Sequence, residues 1–433
     1  MLMSVVLAAG KGTRMVSEQP KVLHPLLGMP LLEHMLVKVD ELRPTTSVAV
    51  VGYRKDSIIQ QFSDRGLVWG HQDEQLGTGH AASIGVEAGV AAAGPAGDVL
   101  ILNGDLPLLT RETLKQLVET HASTGAAVTV LTCEKEDPFS YGRIVRDATT
   151  GRLKGIVEEK DADEATRRIK ETNAGVYVFK IDVFREYYAR TDCENVQGEY
   201  YLTDVVALAA DDGRTVETVA ARTESEIEQV NSRQELAVAS RLLRQDILRQ
   251  LLDSGVTIVD PALVYVEMDV RIGVDTTIYP FTYLHRGVEI GSGCDIGPFA
   301  RLRPGTCVAD NVRVGNFVEI KSSEVESGAK IGHLAYVGDA FVGENVNVGA
   351  GTVFANYDGK KKSRTVVEEG AFIGSGTILV APVSVGRGAV TGAGTVVTKG
   401  KDVADGAVVV GVPGRELRPS SGASKAERPE VSK

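Results

Sequence analysis

Arg271–Ile320 reads RIGVDTTIYPFTYLHRGVEIGSGCDIGPFARLRPGTCVADNVRVGNFVEI, and an aliphatic residue returns at every sixth position. The series runs Val266, Ile272, Ile278, Leu284, Ile290, Ile296, Leu302, Val308, Val314 and Ile320 without a break. Gly follows several of these, as at Gly273, Gly291, Gly297 and Gly315. The period slips by one and resumes at Val325, Ile331 and Val337, then at Val342 and Val348. It returns once more at Ile373, Leu379 and Val385. A hexad repeat is the signature of a parallel β-helix. One aliphatic per hexad points inward from each flat face, and the corners need backbone angles that few residues adopt freely. Three hexads make a coil, and coils stack at about the 4.8 Å strand spacing. The interruption Asn356–Thr365, NYDGKKKSRT, reads as a loop extruded from one coil, a place where solenoids carry function.

Upstream of the repeat, Glu224–Leu252 shows apolar residues at three- and four-residue spacing, and Gly255 supplies a stop signal. A long joining helix is expected there. Before it, Val5–Ala9, Ser47–Val51 and Val99–Leu102 are short apolar runs suited to buried parallel strands. Helical patterns such as Leu31–Leu42 and Arg111–His121 alternate with them, which predicts a doubly wound, Rossmann-like α/β sheet. Ligands of such sheets gather at the carboxyl ends of the strands. The expected organisation is a nucleotide-handling domain at 1–231, a linker helix at 232–255 and a left-handed hexapeptide-repeat β-helix at 256–414. A disordered tail at 415–433, rich in Ser, Pro, Lys and Glu, completes it.

The 433 residues are too many for one ordinary core. A hydrophobic content of 43% with 24% charged residues is that of a globular protein, and 47 glycines with only 5% aromatics fit many tight turns. A net charge of −11 lacks the basic footprint of a nucleic-acid binder. Cys133, Cys193, Cys294 and Cys307 form no CxxC pair or zinc spacing, so reduced thiols in the cytoplasm are expected. No apolar stretch approaches the length of a membrane span, and the N-terminal run is too short for a signal peptide.

Leu7-Ala8-Ala9-Gly10-Lys11-Gly12-Thr13-Arg14-Met15 follows the first expected strand. Its glycines let backbone N–H groups approach an anion, and Lys11 and Arg14 add positive charge. The loop has neither Walker A nor dinucleotide-fingerprint spacing, and alone it also fits a plain tight turn. Pro20-Lys21 brings another cation. Gln72 and Leu76-Gly77-Thr78-Gly79 offer groups suited to reading a base. Asn103-Gly104-Asp105 closes a strong strand, where the carboxylate either holds Mg²⁺ or caps the following turn.

The set LAAGKGTRM, PK, QLGTGHA and GD, in this order, resembles the sugar-phosphate nucleotidyltransferases. Among them it is most similar to the bifunctional family joining N-acetylglucosamine-1-phosphate uridyltransferase to glucosamine-1-phosphate N-acetyltransferase, over Val5 to about Pro413. The resemblance implies that Leu7, Ala8, Ala9, Gly10, Gln72, Gly77 and Thr78 hold the uridine nucleotide and Lys21 its phosphates. It implies that Asn103, Gly104, Gly142, Glu158, Asn173 and Asn231 complete the nucleotide and sugar site. Asp105 and Asn231 would hold Mg²⁺, with UTP as substrate, and Arg14 and Lys21 would offset charge during transfer. Asn103 departs from the Tyr that often precedes Gly-Asp in relatives.

In the repeat domain, Arg303 and Lys321 interrupt small or apolar hexad positions, and His333 lies in IGHLAYVGD between Ile331 and Val337. A lone His is often structural, and a β-helix can serve assembly alone. GHLAYVGD and NYDG resemble the acetyltransferase half, which implies His333 as general base. Arg303, Lys321, Tyr336 and Asn347 would bind the acceptor sugar phosphate. Ala350, Asn356, Tyr357, Ser375 and Ala393 would line an acetyl-CoA groove, assisted by Lys362, between subunits of a homotrimer. Two departures are a β-helix shorter before Ile290 by roughly two coils, and Gly411 where relatives carry an Arg, for which Arg415 is the candidate substitute. The alternatives left by the sequence are a monofunctional nucleotidyltransferase with a trimerising β-helix and a nucleotide-sugar sensor.

Overall fold

The computed structural model describes residues 1–95 and 97–417, and the chain divides into two compact units, Met1–Leu243 and Arg244–Lys433. The first unit is built on nine strands: β1 Leu2–Ala8, β2 Thr46–Val51, β3 Val68–His71, β4 Asp98–Asn103, β5 Val128–Glu134, β6 Arg143–Arg146, β7 Leu153–Val157, β8 Glu171–Lys180 and β9 Val216–Ala220. Their order is β9-β5-β8-β4-β1-β2-β3, with the β6–β7 hairpin attached through β8. β8 runs antiparallel to both β4 and β5, which the apolar runs did not reveal.

Successive residues of β1 face opposite layers, as its pleat requires. Val6 packs with Leu32, Met35, Leu36, Leu114 and Leu117 of the helices Leu31–Asp40 and Arg111–Thr124. Val5 packs with Ala82 and Val86 of the helix Thr78–Ala93 and with Val205 and Val206 of Leu202–Asp211. The helix Thr78–Ala93 lies close to the sheet because it carries Gly85, where a Cβ would meet Val5 Cγ1 at 2.3 Å. Neighbours depart from β1 in two directions, to β2 and to β4, so a crevice opens between the carboxyl ends of β1 and β4.

The joining helix is shorter than its sequence pattern suggested. Glu224–Ile227 is a 3-10 turn, and the α-helix is Arg233–Asp253. Its start is fixed by a capping box: Glu235 N–H donates to Ser232 Oγ at 3.2 Å, and the Glu235 carboxylate accepts from Ser232 N–H at 2.7 Å. The boundary between the units falls inside this helix and not at its start.

The second unit is a parallel β-helix with three stacked faces. One ladder joins Ile278, Ile296, Val314, Ile331, Val348 and Ile373. A second joins Val266, Leu284, Leu302, Ile320 and Val337, and a third joins Ile272, Ile290, Val308, Val325 and Val342. Nearly all of these aliphatics are fully buried, and each such side chain contributes about 1.5–3 kcal/mol of transfer free energy. The hexad slip shortens two coils without breaking register, and the extruded loop is bypassed because Val342 pairs directly with Val367. At the far end, Arg415 and Glu416, expected at the start of the tail, form a strand. Arg415–Glu416 returns antiparallel against Val408–Val410, because alternating backbone groups there still find partners. Residues 418–433 of the expected tail lie outside the described residues.

Candidate functional sites

The crevice of the first unit holds two adjoining cavities, of about 230 and 760 Å³. Leu7, Ala8, Ala9, Gly10, Gln72, Gly77 and Thr78 line the smaller one, and Arg14, Gly142, Glu158, Asn173 and Asn231 line the larger. Lys21, Asn103 and Asp105 face both. Gly10 has open space where a Cβ would stand, whereas Gly12, at φ 62°, would press a Cβ to 2.6 Å from Lys21 Cβ. The loop thus leaves a floor for a ligand and sets Lys21 beneath it. Gly104 lines neither cavity, and its N–H donates to Leu7 O at 2.9 Å, tying the end of β4 to β1.

Asp105 and Asn231 converge on one cation, the Lys21 ammonium. Lys21 is ion-paired to Asp105 and donates to Asn231 Oδ1 at 2.7 Å. The second oxygen of Asp105 is buried without a hydrogen-bond partner. Asn231 is placed by Val230 N–H, which donates to Asp105 O at 3.0 Å, and by its own N–H on Glu235 at 2.6 Å. An orphaned carboxylate oxygen opposite an amide oxygen suits a hard divalent ion, which takes few protein ligands and completes its shell with phosphate and water.

In the larger cavity, Asn173 donates to the Tyr177 hydroxyl at 2.6 Å across a bulge in β8, and Asn103 packs on Gly175 at that bulge. Burial lifts the Glu158 carboxyl above its usual range, against a Thr203 hydroxyl donating at 3.1 Å. The sequence reading missed Gln75, which donates to Ala9 O at 2.9 Å, as well as Glu199 and Thr203. Gln75 adjoins the LGTG turn, and its position there was the available signal.

The second unit divides its expected residues between two corners. One corner carries His333, exposed at the end of Lys330–His333, and borders a cavity of about 740 Å³ with Asn347, Ala350 and Ser375. Ala393 lies outside that cavity on the same corner, where Gly394 N–H donates to Ser375 O at 2.8 Å. His333 Nδ1 meets Asn316 Oδ1 at 2.5 Å, an orienting contact that sequence reasoning missed. The two residues are ladder partners, so counting back one coil from His333 would have found Asn316.

The other corner carries Arg303, Lys321, Tyr336 and Asn356. Arg303 is held by Glu319 at 2.8 Å, Asn356 donates to Asp339, and Lys321 lies 3.8 Å from Asp339. The Tyr336 hydroxyl lies over Gly338 beside Asn356. Neighbouring Lys362, and then burial, hold the Lys321 ammonium below its usual range, which places the extruded loop beside the cations. Tyr357 is exposed on that loop. Within a single chain Asn347 stands with His333 and Asn356 with Lys321. The register explains both, because each corner collects residues one coil apart.

The description MobA-like NTP transferase domain matches residues 4–255. The chain is 42% identical to bifunctional protein GlmU of Carboxydothermus hydrogenoformans over 416 residues, covering 88% of this chain and 92% of that protein. It is 43% identical to that of Trichlorobacter lovleyi (88% and 90% covered) and 45% identical to that of Heliobacterium modesticaldum (88% and 90% covered). The chain belongs to the bifunctional GlmU family. As a GlmU protein it is an enzyme with two activities, nucleotidyl transfer and acetyl transfer, and a β-helix kept for assembly alone is not favoured. Among the described residues, no helix of this GlmU chain is long and apolar enough to cross a membrane.

Proposed function

We propose that the first unit transfers uridylate from UTP to N-acetylglucosamine 1-phosphate and that the second makes this acceptor by acetylating glucosamine 1-phosphate. The observation that carries the first half is the convergence of Asp105 and Asn231 on one cation at the mouth of the crevice. Asp105 and Asn231 would hold Mg²⁺, which would supply charge neutralisation at the triphosphate. Leu7–Gly10, Gln72, Gly77 and Thr78 bind the nucleotide, and Gly142, Glu158 and Asn173 orient the sugar. A sugar-phosphate oxygen then attacks the α-phosphorus while the bond to pyrophosphate breaks. Arg14 and Lys21 offset the charge that develops, and no covalent enzyme intermediate is required.

In the second unit His333 donates Nδ1–H to Asn316, which leaves Nε2 free as a base. The sugar amine attacks the thioester carbonyl and His333 takes its proton. The new C–N bond forms, the C–S bond breaks, and the CoA thiolate leaves to be protonated. Arg303, Lys321 and Tyr336 bind the acceptor phosphate. Ala350, Ser375 and Ala393 form the floor of the acetyl-CoA groove, Asn356 and Tyr357 reach it from the other corner, and Arg415 takes the CoA phosphate.

The two corners complete one site when copies of the chain assemble as a homotrimer. A ladder of exposed rings on the His333 corner supports this: Phe281, Phe299 and Phe317 stack at 4.7 and 5.1 Å between centroids and are each about half exposed. Four unpaired thiols and substrates of the cell interior support a cytoplasmic location.

Two variants test the halves. Asp105→Ala should abolish pyrophosphate release from UTP and leave acetyl-CoA consumption intact; unchanged release removes Asp105 from the metal site. His333→Ala should lower acetyl transfer by about 100-fold or more and spare uridyl transfer; loss of both activities would point to a folding defect instead.

A further inference from the structure

Glu226 is a buried carboxylate that the chemistry above leaves unused; it is 2% exposed. Among the described residues its oxygens are taken up by hydrogen bonds and not by a salt bridge. Thr113 Oγ1 lies 2.9 Å from both oxygens, Thr110 Oγ1 donates to one, and Arg222 N–H donates to the other at 2.9 Å. Burying a charge costs free energy unless such donors surround it, so an arrangement of this kind fixes its neighbours firmly.

The neighbours are the two segments that carry Asp105 and Asn231. Residues 105–110 and 226–231 run antiparallel beside each other. At one end Val230 N–H donates to Asp105 O at 3.0 Å, and at the other Glu226 holds Thr110. Between them, the Lys38 ammonium donates to Pro107 O, two residues from Asp105. With both ends tied, neither segment can slide without breaking a buried contact.

We infer that Glu226 is a positioning residue for the metal site: by clamping Thr110 and Thr113 to the 222–231 segment, it sets the separation of Asp105 from Asn231. This rests on the reading that those two residues bind the divalent ion. Partners that hold metal ligands in place are commonly worth about 10–100-fold in metal affinity.

The test uses the full chain with a non-hydrolysable UTP analogue and Mn²⁺ as the probe. Free Mn²⁺ is followed by electron paramagnetic resonance, beside the Mg²⁺ dependence of pyrophosphate release. Glu226→Gln should raise the Mn²⁺ dissociation constant and the half-saturating Mg²⁺ by about tenfold. The rate at saturating Mg²⁺ should stay within about twofold of the parent, and acetyl transfer in the same chain should be unchanged, which reports that the chain is folded. Thr113→Val should act like Glu226→Gln, and Thr113→Ser, which keeps the hydroxyl, should restore parental Mn²⁺ binding. Parental Mn²⁺ affinity in both Glu226→Gln and Thr113→Val would overturn the proposal if Asp105→Asn still weakens Mn²⁺. Parental affinity in Asp105→Asn would instead sink the metal assignment, and the proposal with it.

Discussion

Gly12 shows how one missing methyl group can govern a reaction. It holds φ 62°, and its Cα faces the stem of Lys21. Gly12→Ala would incur about 1–2 kcal/mol for the left-handed backbone and would also have to displace Lys21, because Ala Cβ and Lys21 Cβ would stand 2.6 Å apart. Uridyl transfer should fall by at least about tenfold, mostly through a higher KM for UTP, while acetyl transfer persists; steady-state kinetics of both reactions decide it. Gly10, two residues earlier, was equally visible in the sequence, yet it differs, because open space lies before it. Residue type and motif announced the loop. Which glycine faces open space and which faces protein follows from the return of the Lys21 segment, an approach that spacing along the chain cannot encode.

At the scale of elements, the helix Leu202–Asp211 meets the larger cavity of the crevice with Leu202 and Thr203, while Asp204 follows in its first turn. Burial, then Asp192 and Asp161, push the Asp204 carboxyl from 3.8 to about 6. A raised folded value means the protonated form is favoured in the native state. That contribution is complete below 3.8 and is lost as pH rises through about 6. Asp204→Asn should therefore raise the melting temperature at pH 7.5 by about 1–3 °C, after allowing for solvent screening and a lost helix-terminus interaction. The gain should vanish near pH 3.5, and a scan at both values measures it. Period was the legible quantity among the elements. The hexads gave the prism and its inward ladders, because a single spacing repeated many times survives local noise. The antiparallel course of β8 was hidden, since a buried strand looks alike in either direction. The apolar spacing alone ran on upstream to Glu224, whereas the α-helix begins at Arg233, where Ser232 and Glu235 form a capping box, close to the start expected for the linker helix.

Across the whole second unit, the residues expected in one acetyl-transfer site stand on two different corners of a single prism. Sequence motifs named most of them and could not sort them, because sorting requires the coil register and its two one-residue slips. If one site draws each corner from a different copy, chains lacking His333 and chains lacking Lys321 can complement. Mixing His333→Ala with Lys321→Ala, each inactive alone, should restore acetyl transfer at about a quarter of the sites after subunit exchange. No recovery, with exchange verified by mass, would mean that each chain uses only its own corners.

The short return of Arg415–Glu416 against Val408–Val410 has a consequence for how such prisms behave in crowded solution. A stack of parallel rungs ends in a row of unsatisfied amides and carbonyls that would accept another stack without limit. Reversing the chain direction on the last strand of one of the three faces offers an incoming prism a strand of the wrong polarity there, which disfavours end-to-end growth through that face.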